Sequence, residues 1–143
     1  MKSLKNSLLE HAGAQRPIAH GVGRRKAAVA RVWLRHGKSG ITVNGRSHTE
    51  YFDTDVERDT LLVPFSAVPT ASGFSVEVTV YGGGKMAQAD AIKLGISRAL
   101  VLMDESHKPA LRENGLLTVN SRVKERKKYG QKAARRKFQF VKR

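Results

Sequence analysis

Gly37-Lys38-Ser39 has the residue order that closes a phosphate-binding loop, where a lysine reaches the outer phosphates and a hydroxyl holds magnesium. That loop also needs a glycine five positions before Gly37, so that backbone amides can wrap the phosphate. Val32 stands there, inside a stretch that alternates like a strand. Gly82-Gly83-Gly84-Lys85 fails as well, because Met86 brings no hydroxyl and the upstream glycine is missing. Asp53, Asp55, Glu57 and Asp59 alternate as calcium ligands do, but Arg58 occupies the loop's glycine position and Pro64 that of its closing glutamate. We read them as a solvated acidic loop. No serine has a nucleophile-elbow setting, and the five histidines lack metal-ligand spacing. Without cysteine there is neither a thiolate site nor a disulfide framework. Nothing here points to an enzyme, a metal or a cofactor.

The residues with chemistry to offer are cations. The net charge is +15 over 143 residues, and it is unevenly placed. Residues 1–20 carry +2, residues 21–118 carry +3, and residues 119–143 carry +10 with a single acid. These divisions define an N-terminal arm, a globular domain and a basic tail. So concentrated a field calls for a polyanion, either nucleic acid or an acidic membrane surface. The longest apolar runs are only a few residues, so nothing spans a bilayer. "MKSLKNSLLEHAGAQRP" has only Leu8 and Leu9 as a hydrophobic region, making it a poor secretory signal; we favour a short mobile arm over the alternative, an organelle transit peptide. The default location is the cytosol.

Four features favour nucleic acid. In "GVGRRKAAVARVWLR", Arg24, Arg25 and Lys26 precede a strand on which Arg31 and Arg35 flank Trp33. Cations interleaved with an aromatic suit RNA, offering phosphate contacts and a stacking surface. For Trp33 itself we favour the core, where tryptophan is usually well buried. Secondly, the glycines before Lys85 let a ligand approach the backbone beside a helix N-terminus, a natural phosphate site; a flexible connector explains them equally well. The third feature is "SRVKERKKYG", with Arg122, Lys124, Arg126, Lys127 and Lys128 and no recurring apolar position. Last comes the run from Gln131, with Lys132, Arg135, Arg136 and Lys137, where Phe138 and Phe140 would point the same way in an extended chain. From Arg122 onward the chain could span up to about 70 Å, enough to probe a large folded RNA far from its own globule. Alone it should be disordered; among phosphates, counterion release would offset its ordering.

The elements that must carry these groups form an α+β domain. Ala28, Ala30, Val32 and Leu34 give one face of a strand, "ITV" a second strand, and Asn44-Gly45 a tight turn. Ser47 and Glu50 have capping-box spacing ahead of a short helix. Phe74, Val76, Val78 and Val80 mark the cleanest strand. Ile92, Ile96, Ala99, Leu100 and Met103 fall on one face of a helix from about Met86 to Asp104. Pro109 and Gly115 bracket another short helix.

Taken in order, "GRRKAAVARV", "ITVNG", "VTVYGGGK", "AIKLGISRAL", "SRVKERKKYG" and "KAARRKFQFVKR" resemble the bacterial ninth protein of the small ribosomal subunit, over nearly all of Gly21–Arg143. The resemblance implies a small sheet of about four strands with helices packed on it and a left-handed βαβ crossover, as in the second domain of ribosomal protein five. It also implies a long extended basic tail. It implies binding to ribosomal RNA of the head, in the 3′ major domain, beside neighbouring ribosomal proteins and with no membrane. Arg135, Arg136 and the stretch through Phe140 match the segment lying along ribosomal RNA, and Tyr129 belongs to the matching "ERKKYG". Lys142 and Arg143 match the terminal pair that meets peptidyl-site transfer RNA. Met86, Ala87 and Asp90 depart from the family's usual serine and glycines, Val119-Asn120 from its Arg-Asp, and Val141 from its serine. A basic RNA-binding subunit of an RNA-processing enzyme is the alternative. A DNA-compacting protein would need a dimer interface or symmetric arms, which are not evident.

Overall fold

Three stretches of alternating apolar residues, one glycine-bearing strand and one two-residue edge build a single mixed sheet in the computed structural model, which describes residues 16–142. The strands are β1 (Ala19–Arg25), β2 (Ala28–His36), β3 (Gly40–Val43), β4 (Arg46–Ser47) and β5 (Phe74–Tyr81). Their spatial order is β1-β2-β5-β3-β4; β3 and β5 run parallel and the other pairs antiparallel. The fold is the expected α+β architecture. Its fifth strand is only the far arm of the Asn44-Gly45 turn, where both residues have positive φ, 50° and 79°. Asn44 also extends the sheet with its side chain, accepting from the Val80 amide and donating to its carbonyl, each at 2.9 Å. The secretory-signal question and most of the expected N-terminal arm fall on residues 1–15, outside the described residues, as does Arg143.

The helices are α1 (His48–Tyr51), α2 (Asp55–Ala67), α3 (Lys85–Met103) and α4 (Lys108–Glu113). The α3 face read from the spacing is the one that packs: Ile92, Ile96, Ala99 and Leu100 are fully buried against Val32, Leu34, Val76 and Val78. Pro109 sits in the first turn of α4, and Gly115 beyond its end has a φ of 67°. Helix α1 forms as expected, yet Ser47 makes no cap bond to the backbone; its hydroxyl meets Thr49 Oγ1 at 2.9 Å instead.

Two expectations fail here. The acidic run is not a loop, because α2 begins inside it, with Asp55 and Glu57 in the first turn where the helix dipole favours them. Arg58 braces that turn, reaching Asp55 at 2.8 Å and the Phe52 carbonyl at 2.9 Å. Helical geometry fans the acids apart, which removes the resemblance to a calcium loop. The sheet also begins earlier than the alternation suggests. Arg24 and Arg25 lie within β1, paired with Val29 and Ala28, and do not precede the first strand. Gly21 and Gly23 weaken the sequence signal of β1, since glycine is a poor strand former. They are needed because α3 lies directly on that strand: a Cβ at Gly23 would fall 1.8 Å from the Ala91 carbonyl oxygen.

Candidate nucleic-acid interface

Because α3 packs on the face of β1 and β2 carrying Ala30, Val32 and Leu34, the alternate residues of those strands face outward. They are His20, Val22 and Arg24 on β1 and Val29, Arg31, Trp33 and Arg35 on β2. Trp33 is therefore not in the core, contrary to the expectation from its residue type. It is half-buried on the outer face, its ring centroid 5.3 Å from that of His20. Strand periodicity overrides the general tendency of tryptophan, and the four-residue set Ala28, Ala30, Val32, Leu34 already fixes which side is inner. Arg24 and Arg31 are exposed on this face, and Arg35 pairs with Glu77 at 2.9 Å. At the hairpin tip, Lys26 is exposed with a φ of 51°, a left-handed position uncommon for a residue with a side chain.

Arg25 points elsewhere. Its Nη1 donates to the carbonyls of Asn120 and Arg122, at 3.2 and 2.7 Å, and its Nε lies 3.6 Å from Asp90. The glycine run is likewise engaged within the protein. Gly82 and Gly83 have φ of 74° and 65°, and a Cβ on Gly82 would sit 2.4 Å from the Ala27 carbonyl. Gln88, which matches the glutamine the family keeps after its glycines, stitches this turn to α1: its amide donates to the Gly82 carbonyl and accepts from the Tyr51 hydroxyl. Lys85 donates to the Tyr51 carbonyl at 2.8 Å, its ammonium 3.6 Å from that ring's centroid. Among these glycines only Gly84 has open space around it.

Residues 118–142 form neither helix nor strand, and nearly all are exposed. No apolar position recurs there to hold them to the core, whose last member is Leu116. The tail's lone acid, Glu125, receives Arg135 and Lys128, with Arg135 Nε at 3.0 Å and Lys128 Nζ at 3.2 Å. Those bonds, that from Arg135 foremost, hold its carboxyl down to about 2. The loop so closed is aided by the Lys132 amide donating to the Arg136 carbonyl at 2.9 Å. Arg122, Lys124, Arg126, Lys127, Lys132, Arg136, Lys137 and Lys142 all present exposed side chains. Tyr129 and Phe140 are almost wholly exposed, while Phe138 is half covered with Lys132 above it at 5.4 Å. The two phenylalanines thus differ in surroundings, where an extended chain would have made them alike. Among the described residues no cluster of histidines and acids could hold a metal, and no helix is long and apolar enough to cross a membrane.

One sheet face sealed by helices, the other edged with arginine, and an exposed cationic chain leading away make this a small basic protein built to meet a polyanion. The chain belongs to the family described as Ribosomal protein S9/S16, whose pattern matches residues 23–143. It is 48% identical over 126 residues to small ribosomal subunit protein uS9 of Christiangramia forsetii, covering 88% of this chain and 98% of that one. To the protein of the same name from Thermus thermophilus it is 50% identical over 124 residues, 87% of this chain and 97% of that one. This is a structural, RNA-binding ribosomal protein and not an enzyme.

Proposed function

We propose that the chain is a structural constituent of the small subunit of the cytoplasmic ribosome. It holds ribosomal RNA of the head with the outer edge of its sheet and its tail, beside other head proteins. The observation that carries this is the tail: twenty-odd exposed residues with a single acid, continuing from a closed core. Arg24, Lys26, Arg31 and the tail cations meet phosphate, which positions the protein without choosing bases. Tyr129, Phe138 and Phe140 offer faces on which unpaired bases can stack. Lys85, already tied to α1, contributes its charge beside the N-terminus of α3. The tip, Lys142 and Arg143, reaches the peptidyl-site transfer RNA.

Small subunits reconstituted with a chain lacking Lys142 and Arg143 test both halves of this proposal. The shortened protein should still enter the particle. Transfer RNA binding in the peptidyl site should weaken about three- to tenfold, by a similar factor for different anticodons, since phosphate contacts carry no base information. Normal transfer RNA binding at moderate salt would remove the tip's role. A full-length chain that fails to enter the particle would remove the ribosomal RNA role.

A further inference from the structure

We infer that Arg25 is a positioning residue: its guanidinium clamps the root of the tail and sets the direction in which the tail leaves the body. The inference rests on the RNA-binding function proposed above. Among the described residues, the hydrogen bonds joining the tail to the body both come from Arg25 Nη1, to the Asn120 and Arg122 carbonyls. The side chain is only 16% exposed, so little of it is left for an RNA phosphate.

Behind the clamp stands Asp90 on α3, 3.6 Å from Arg25 Nε and held from its other side by Lys93 at 3.2 Å. The guanidinium therefore spans three elements: it grows from the end of β1, is braced by α3, and grips the backbone of the tail. Cavities of about 200 and 100 Å³ flank it, both lined by Arg24, Arg25 and Asn120. Because the accepting groups are backbone carbonyls, the grip leaves the side chains of Arg122 and Lys124 free for phosphate. It fixes the backbone just where the tail begins, after Leu116, the last core residue. A tail with an anchored root starts from fewer conformations and loses less entropy when it orders on RNA.

Arg25→Lys separates this role from a simple charge. Lysine keeps the cation but is a point charge without the planar fork that here serves two carbonyls and a carboxylate. Two measurements are made on the full chain: hydrogen exchange at the amides of Ser121–Val123 in the free protein, and affinity for a transcript of the 3′ major domain over a range of salt. Arg25→Lys and Arg25→Ala are both expected to speed exchange severalfold and to weaken RNA binding by a similar factor, about three- to tenfold. The salt slope should stay unchanged for Arg25→Lys. Asp90→Asn, which removes the brace but keeps the fork, should fall between wild type and Arg25→Lys. Wild-type exchange in both Arg25 variants would overturn the clamp. So would wild-type RNA affinity in Arg25→Lys with loss only in Arg25→Ala, the pattern of a direct phosphate contact. Faster exchange with unaltered RNA affinity would overturn the positioning role. A wild-type chain that ignores the transcript would defeat the proposed function instead, leaving the exchange result to stand on the clamp alone.

Discussion

Gly23→Ala is expected to cost this protein a large part of its stability, about 3–5 kcal/mol, although it adds one methyl group. That methyl carbon would lie 1.8 Å from the Ala91 carbonyl oxygen and 2.6 Å from the Gly95 amide nitrogen. Both obstacles are backbone, so no rotamer change relieves them. Non-bonded carbon sits comfortably at about 3.5–4.0 Å, so α3 would have to lift from β1 by more than an ångström. Lifting it loosens Ile92, Ile96, Ala99 and Leu100 together, all of them fully buried on the same helix. Gly21 faces the same helix, with the Gly95 oxygen 2.1 Å from where its Cβ would be, and Gly95 returns the contact from α3. Three glycines thus let strand and helix backbones touch. Gly40→Ala is the control: a Cβ there meets nothing within 4 Å, and the change should stay within about 0.5 kcal/mol. Urea unfolding midpoints decide the matter. Equal midpoints for wild type and Gly23→Ala would mean that helix and strand do not lie so close.

Replacing Arg135, Arg136 and Lys137 together by glutamine should weaken binding to the 3′ major-domain transcript by about ten- to a hundredfold near physiological salt. The slope of log affinity against log salt should fall by about 2, since each lost phosphate contact removes about 0.7–0.9. The three contributions will not be equal. Arg136 and Lys137 are exposed, whereas Arg135 must give up Glu125 before it can take a phosphate. That exchange is cheap, because a solvent-exposed pair contributes little on its own. Stability should be untouched, as none of the three belongs to the core. Lys108→Gln, at a site on α4 paired with Glu105 at 3.2 Å, should leave both affinity and slope unchanged. An unaltered slope in the triple variant would mean that this part of the tail meets no phosphate.

Much of this body could be read from periodicity because its inner residues repeat cleanly. Ala28 to Leu34, Val76 to Val80 and Ile92 to Leu100 fall where alternation and helical spacing put them. Two elements escape for opposite reasons. Strand β1 is written with glycines, whose low strand propensity masks a requirement set by α3, an element distant in sequence. Helix α2 carries Pro64 inside it and buries only Leu61 and Pro64, so its apolar pattern is faint and its acids look like a loop. The cations of the interface are legible as a group, since charge can be counted without a fold. Their individual duties are not: Arg24, Arg25 and Lys26 are neighbours in sequence, yet strand alternation and the turn send them to the outer face, the tail root and the hairpin tip. Likewise Gln88 shows its latch only when Gly82 and Tyr51 are beside it.

The most direct trial of the account is hydrogen exchange along the tail, with and without the 3′ major-domain transcript. In the free protein, amides beyond the loop closed by Glu125 and Arg135, from Lys137 to Lys142, should exchange at rates close to those of an unstructured peptide. Buried amides of β2, β5 and α3 should meanwhile be strongly protected. On adding RNA the tail amides should slow by at least tenfold while the core barely changes. Protection of Lys137–Lys142 in the free protein, or exchange there that RNA leaves unaltered, would contradict a tail that takes its order from phosphate.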